Sequence, residues 1–345
     1  MSTKRINAGW RAFSLAKETA YGTAQSTIDQ LLHFEGAPAD VTINNQETNE
    51  NEITGLTDIS SREIITYGLG FQHAQRMLPH NAALFLALAM GKVTSDQPDN
   101  ANAPNTYRHY IERDLAAPEL KSVTMIENDG SEQKIYPGIF CKGITLSGER
   151  DAFCKIEADL GGSGEESTDA TGQPSQVTES YLRFGDVTVN RGGSFSGTVA
   201  AGTLAHGGSP TDLSAKVRSF SYKLENQANP VYEMGDQSKY VSRVERGRRW
   251  THELNLQFEL EDGIHHTGLT QGTEYAMSIP IVGSLIEDTF NYRCTLYFPK
   301  VAYREAGKSE DDGMLLVDAV FEVMEDATYG SVIVELHNKV TAYLT

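Results

Sequence analysis

The sequence predicts a mainly β fold with a few helices, laid out as two sheet-forming units in tandem. Three observations predict it. The first is a pattern that appears twice. Ile43-Asn44-Asn45-Gln46-Glu47 ends a strand, and a polar loop then leads to Arg62-Glu63-Ile64-Ile65-Thr66-Tyr67-Gly68-Leu69. Leu224-Glu225-Asn226-Gln227-Ala228 does the same before Arg248-Arg249-Trp250-Thr251-His252-Glu253-Leu254. Late strand pairs follow in each half, starting at Tyr136-Pro137 and at Phe298-Pro299. The second observation is strict alternation. Leu254, Leu256, Phe258 and Leu260 fall on one face, and Glu253, Asn255, Gln257, Glu259 and Glu261 on the other. Phe220, Tyr222 and Leu224 repeat this, as do Ala319, Phe321 and Val323. Period two with one polar face means antiparallel sheet wetted on one side. The third is one strong helix from His80 to Gly91, apolar on most sides and therefore buried. Pro79 opens it and Gly91 is a natural stop.

Along the chain, residues 1–35 read as an N-terminal arm, with a short strand at Phe13 and Leu15 and a turn over Glu18-Thr19-Ala20-Tyr21-Gly22-Thr23. Residues 36–160 form the first module and 217–345 the second. Between them, 161–216 is rich in Gly and Ser and reads as linker and exposed loops, with one strand near Tyr181 to Asn190.

The formal net charge of −18 disfavours any function that neutralises phosphates, such as wrapping DNA. Its plain meaning is solubility; its sharper meaning is a surface that must not hold a polyanion. Cys141, Cys154 and Cys294 are too few and too scattered for a disulfide framework or a CxxC metal site. They read as reduced buried thiols in a cytoplasmic protein. The first ten residues carry no apolar run of the signal-peptide kind, and Ala82 to Met90 is too short for a membrane span.

No catalytic constellation, cofactor motif or metal site is expected. The glycines from Gly197 to Gly208 lack the Lys-Ser/Thr ending of a phosphate loop. His265-His266, read as part of a strand, would face opposite sides. Glu310-Asp311-Asp312-Gly313 lacks the ligand spacing of a calcium loop and reads as a solvated hairpin. Glu47, Glu50 and Glu52 read as a charged loop. The basic run Arg243-Val244-Glu245-Arg246-Gly247-Arg248-Arg249 lacks interleaved aromatics, so contact with an acidic neighbouring subunit is preferred to nucleic acid.

The order of these pieces resembles the tail tube proteins of long-tailed, siphovirus-type bacteriophages. The resemblance begins at Ala16-Lys17-Glu18-Thr19-Ala20-Tyr21-Gly22-Thr23, similar to the family's opening ETxxGT segment. It continues through Pro79 to Gly91, through Lys121-Ser122-Val123-Thr124 to Tyr136-Pro137-Gly138 and Ile144-Thr145-Leu146, and closes at Val217 to Asn226. The resemblance implies tandem β-sandwich or β-barrel modules whose sheets join between subunits into a ring-shaped barrel. Stacked rings then form a hollow tail tube that conducts DNA to the host. It implies a virion protein and not an enzyme, made and assembled in the host cytoplasm, with no membrane contact.

Implied partners are other copies of the chain, the tape-measure protein and the tail terminator and initiator proteins. DNA passes without specific binding. The two-module type implies a trimer with pseudo-sixfold symmetry, with a hexamer as the alternative. The expected lumen-facing residues are Glu157, Asp159, Glu253, Glu259 and Glu261. The expected subunit interface holds Trp10, Phe13, Arg243, Arg246 and Arg248. The N-terminal arm and loops 44–61 and 226–247 are expected to join ring to ring. Two other readings stand beside this one: the tube of a bacterial contractile injection or secretion system, and a β-rich receptor-binding tail module.

Overall fold

The computed structural model describes residues 11–26, 29–35, 40–49, 62–129, 132–168, 179–233, 239–260, 264–311 and 313–344. The first half contains β1 (Ala12–Lys17), β2 (Gln30–Leu31), β3 (Thr42–Ile43), β4 (Gln46–Asn49), β5 (Arg62–Thr66), β6 (Leu69–Arg76) and helix α1 (Pro79–Met90). It goes on to β7 (Gly91–Asp96), β8 (Tyr107–Arg113), β9 (Val123–Asn128), β10 (Gln133–Glu149), β11 (Lys155–Gly162) and β12 (Ser167–Thr168). Four short strands follow: β13 (Asn190–Arg191), β14 (Ser194–Ser196), β15 (Ala205–Gly207) and β16 (Thr211–Asp212). The second half contains β17 (Val217–Glu225), β18 (Asn229–Val231), β19 (Arg243–Glu245), β20 (Thr251–Glu259) and helix α2 (Ile264–Gln271). It ends with β21 (Glu274–Glu287), β22 (Phe290–Asp311), β23 (Met314–Val323) and β24 (Ile333–Asn338).

The main sheet is antiparallel throughout, in the order β3–β6–β11–β10–β17–β20–β23–β22. It is an open sheet: among the described residues its pairings close no barrel. Two long strands carry the sheet into a second layer. The first part of β10 pairs with β9, which pairs with β1. The first part of β22 pairs with β21 and with β24, and β24 leads on to β8 and β7.

Helix α1 fills the space between the layers, against β8, β10 and β24. From Asn81 to Met90 every residue is buried, which is why the segment is apolar all round. Pro79 sits in the first turn, where its missing N–H costs nothing, and Gly91 at φ +94° closes the helix by donating to Ala87 O. The one polar residue inside, Asn81, donates to Leu31 O at 3.3 Å and to Gln75 Oε1 at 3.0 Å.

The two halves follow one pairing scheme. In the first, Leu160 lies between Phe71 and Cys141, and β10 is bulged between Cys141 and Gly143. In the second, Phe321 lies between Leu254 and Tyr303, and β22 is bulged between Tyr303 and Glu305. Tyr136 pairs with Met125 and Ile139 with Val123, skipping Pro137-Gly138. Phe298 pairs with Met277 and Val301 with Tyr275, skipping Pro299-Lys300. Proline cannot donate to a ladder, so both irregularities stand where the sequence requires them. Finally, Ile43 pairs with Leu69 as Leu224 pairs with His252. Cys141 therefore corresponds to Tyr303, Leu69 to His252 and Ile43 to Leu224.

The opening segment is fixed by one carboxylate. Glu18 accepts from the backbone N–H of Gly22 at 2.9 Å and of Gly138 at 2.8 Å, from Thr124 Oγ1 at 2.8 Å, and from Ser122 Oγ. It ties β1 to β9 and to the Pro137-Gly138 irregularity. Gly22 turns with φ +71°, a conformation that suits glycine.

The strand expected near Tyr181 to Asn190 is instead a 3₁₀ turn at Phe184–Asp186 followed by the two-residue β13. Val189 and Leu213 nonetheless join the core. Alternation there is real, but Arg183 N–H bonds to Asp186 Oδ2 and turns the chain locally. His265-His266 also departs from its strand reading, since both lie on α2. His265 is buried on the Phe258 ring and bonded to Tyr303 Oη at 2.9 Å.

Candidate assembly surfaces

The halves meet at a seam between β10 and β17. Seven pairs run from Gly143–Glu225 to Glu149–Ser219. Ile144, Leu146, Tyr222 and Leu224 point into the core there and are buried. Asn226 locks the end of the seam. Its backbone N–H donates to Lys142 O at 2.8 Å, and its Nδ2 donates to Cys141 O at 3.0 Å. This buried Asn lies beside the bulge, where ladder bonding is interrupted.

The two ends of the main sheet have no such partner. Among the described residues, Thr42 and Ile43 pair only with β6, and Arg304 to Asp311 are bordered only by β23. Ile43 is 61% exposed, while its counterpart Leu224 is fully buried. An unpaired edge of this length is a template for another strand.

A family model described as phage tail tube protein matches residues 11–286. The chain belongs to that family. No curated protein matches it. The family is a structural component of the phage tail, and a tail tube subunit oligomerises with itself and with other tail components. Residues 287–345 lie beyond the matched span, yet β22, β23 and β24 continue the same sheet. No helix among the described residues is long and apolar enough to cross a membrane.

The outer face of the main sheet carries most of the acidic residues singled out in the sequence. Glu157, Asp159 and Glu253 are exposed on it. Glu259 is half-buried at its border, bridged by Arg218 at 2.8 Å and Arg150 at 3.3 Å. Glu261 lies outside the described residues. The face is not purely acidic. Lys223 pairs across strands with Glu253 and bridges Glu225 at 2.6 Å, and Lys155 bridges Glu35 at 2.9 Å. Glu157, Asp159, Glu225, Lys142 and Lys223 together line an open depression.

Two hairpins project from the sheet, β4–β5 before β6 and β18–β19 before β20. The second folds back over the first half of the chain. Leu120 N–H donates to Val244 O at 2.9 Å, Arg246 N–H to Pro118 O at 2.8 Å and Val241 N–H to Ser163 O at 3.2 Å. Val241 and Val244 pack on Leu120 and Phe140. Beyond it, Tyr240 stacks on Tyr67 with ring centroids 4.9 Å apart.

The residues expected at a subunit interface are placed as follows. Trp10 lies outside the described residues. Phe13 is buried against Phe34 and Phe71 of its own chain. Arg246 donates to Asp114 O at 2.7 Å and Met90 O at 3.3 Å, capping α1, and lies over the Trp250 ring. Burial, with Arg113 nearby, lowers its guanidinium below the ordinary value. Arg243 bridges Glu233 at 3.0 Å and Glu245 at 3.2 Å. Arg248 is exposed.

The buried titratable groups serve packing. Burial is the main cause that lowers His73, His80, His109 and His252 to about 4. Burial raises Glu179 to about 7, opposed by the His80 N–H that it accepts at 2.9 Å. The three cysteines are free and buried, with burial raising their thiols. Glu18 is the organising residue whose role the sequence does not reveal. Its motif was visible, but three of its four donors, Ser122, Thr124 and Gly138, come from distant segments.

Proposed function

We propose that this chain is the major tube subunit of a siphovirus-type tail, in which copies join sheet to sheet into rings and rings stack into a hollow conduit for DNA. The observation that carries the reading is the main sheet: one pairing scheme occurs twice, is joined by an internal seam, and among the described residues leaves both outer edges without a strand. Two copies of one module per chain, bounded as 36–160 and 217–345 with 161–216 between them, fit a trimeric ring with pseudo-sixfold symmetry.

In this reading the outer face with Glu157, Asp159 and Glu253 lines the lumen. Its acidic side chains keep DNA from settling on the wall, within a Debye length of about 8–10 Å at physiological salt. Arg243 and Arg248 and the two hairpins lie at contacts between copies. The N-terminal arm and the hairpins join successive rings. Tape-measure, terminator and initiator proteins cap and gauge the tube, which assembles in the host cytoplasm.

Negative-stain electron microscopy over a rising concentration series tests this. Rings or hollow filaments with an axial channel are expected. A chain that remains a discrete particle without a channel, even with tail-initiator proteins added, refutes it.

A further inference from the structure

Resting on the ring reading, we infer the register in which two copies join: residues 304–309 of one chain pair antiparallel with residues 40–45 of the next, reproducing the internal β10–β17 seam. The correspondence already established fixes the positions. Cys141 matches Tyr303 and Ile43 matches Leu224. The internal pair Ile144–Leu224 thus becomes Ala306–Ile43 between copies, and Thr145–Lys223 becomes Gly307–Thr42.

Four features support a second copy as the occupant of this edge. First, Ile43 is exposed where Leu224 is buried, so the seam covers an apolar side chain that the single chain leaves in water. Second, Asn45 takes the place of Asn226, the residue that locks the internal seam. Asn45 Oδ1 is buried without a partner, as is Asn226 Oδ1. Its backbone and Nδ2 would donate to Arg304 O and Tyr303 O of the neighbour, as Asn226 donates to Lys142 O and Cys141 O. Third, both bulges carry a cation, Lys142 in one and Arg304 in the other. Fourth, the β18–β19 hairpin latches over Phe140 and Ser163 of its own chain. The β4–β5 hairpin, carrying Ile65 at 52% exposure, would latch over Ala302 and Met324 of the neighbour, the positions that match them.

One position differs. A Cβ on Gly143 would stand 3.0 Å from Leu224 O, and Glu305 occupies the matching site. The seam between copies is therefore slightly wider at that pair than the internal one.

The Asn226 N–H to Lys142 O bond sets the alternation, making Thr145–Lys223 and hence Gly307–Thr42 a non-hydrogen-bonded pair with close Cβ atoms. Such a pair suits a disulfide. A Cβ on Gly307 meets only Asp318 O, at 4.0 Å, so cysteine fits there. The test uses the full chain carrying Thr42→Cys and Gly307→Cys, beside a shifted control carrying Asn44→Cys and Gly307→Cys. Both are oxidised mildly and viewed by electron microscopy and non-reducing electrophoresis.

Covalent multimers from the first pair in assembled rings, with little from the control, are expected. Rings without that product, or with product from the control alone, overturn the register while leaving the ring reading intact. Absence of both rings and product overturns both. Asn45→Ala should raise the concentration needed for assembly about tenfold, for the loss of its side-chain hydrogen bond across the seam; an unchanged threshold counts against the lock.

Discussion

The internal seam and the two sheet ends are the same structure in two conditions. At β10–β17 the strands are paired, Leu224 is buried and Asn226 is bonded across the joint. At β3 and at residues 304–311 the matching Ile43 is exposed and the ladder stops. The difference is one of connectivity. A seam made within a chain forms on folding; in the proposed ring its counterpart waits for a second copy. In that proposal one sheet serves two tasks: its interior holds α1 and the core, and its open edges serve for joining.

The strongest way to break the comparison is to substitute the matching residues. Leu224→Ala should cost about 2–5 kcal/mol of folding stability in urea titration, as for a buried leucine. Ile43→Ala should leave monomer stability within about 0.5 kcal/mol, since the site is exposed, yet weaken assembly. Equal losses at the two positions would break the correspondence. Proline sharpens it further. Ala306→Pro should give a folded chain that forms no rings, by circular dichroism and microscopy, while Ile144→Pro should fail to fold.

Next in size is Glu18→Ala. Removing the acceptor of four donors should lower stability by about 2 kcal/mol. Because the clasp lies away from the edges, surviving protein should still form rings.

Acid offers a smaller effect on the shared core. His73, His80, His109 and His252 titrate near 4 when folded, against an ordinary 6.5. The unfolded chain binds protons more readily, so stability is full above about 6.5 and is lost as pH falls toward 4. Glu179, raised to about 7, works in the opposite sense between its ordinary 4.5 and 7, and one group does not offset four. Urea midpoints should drop steadily from pH 7 to pH 4.5; a flat profile would contradict this.

The smallest structural effect is expected from reversing Glu157, Asp159 and Glu253 to lysine. Rings should still form, and particles carrying the changes should eject DNA more slowly. Unchanged ejection would remove the electrostatic role of this face.

Much of this was legible in the chain because it is local. Alternation at Leu254, Leu256 and Phe258 gave β20, and an apolar run between Pro79 and Gly91 gave α1. Tyr136-Pro137 and Phe298-Pro299 read as the starts of late strands, whereas both lie inside long strands, β10 and β22, at matching irregularities that the prolines impose. What stayed hidden depends on partners far away in sequence. Beside the nearby Gly22, the donors that converge on Glu18 come from Ser122, Thr124 and Gly138. Arg246 looked like a surface cation, and only the arrival of the α1 C-terminus beside it turned it into a cap. The turn at Phe184–Asp186 was missed because a local side-chain bond outcompeted the strand that periodicity suggested.

The most direct measurement is amide hydrogen exchange on monomer and on assembled rings. The amides that face the open edges, among them those of Ala306, Ile43 and Asn45, should exchange freely in the monomer and, in rings, become as protected as the 143–149 segment of the internal seam, while Asn44 N–H, bonded to Gly68 O at 2.8 Å, should be protected in both. Free exchange at both edges in fully assembled rings would contradict it.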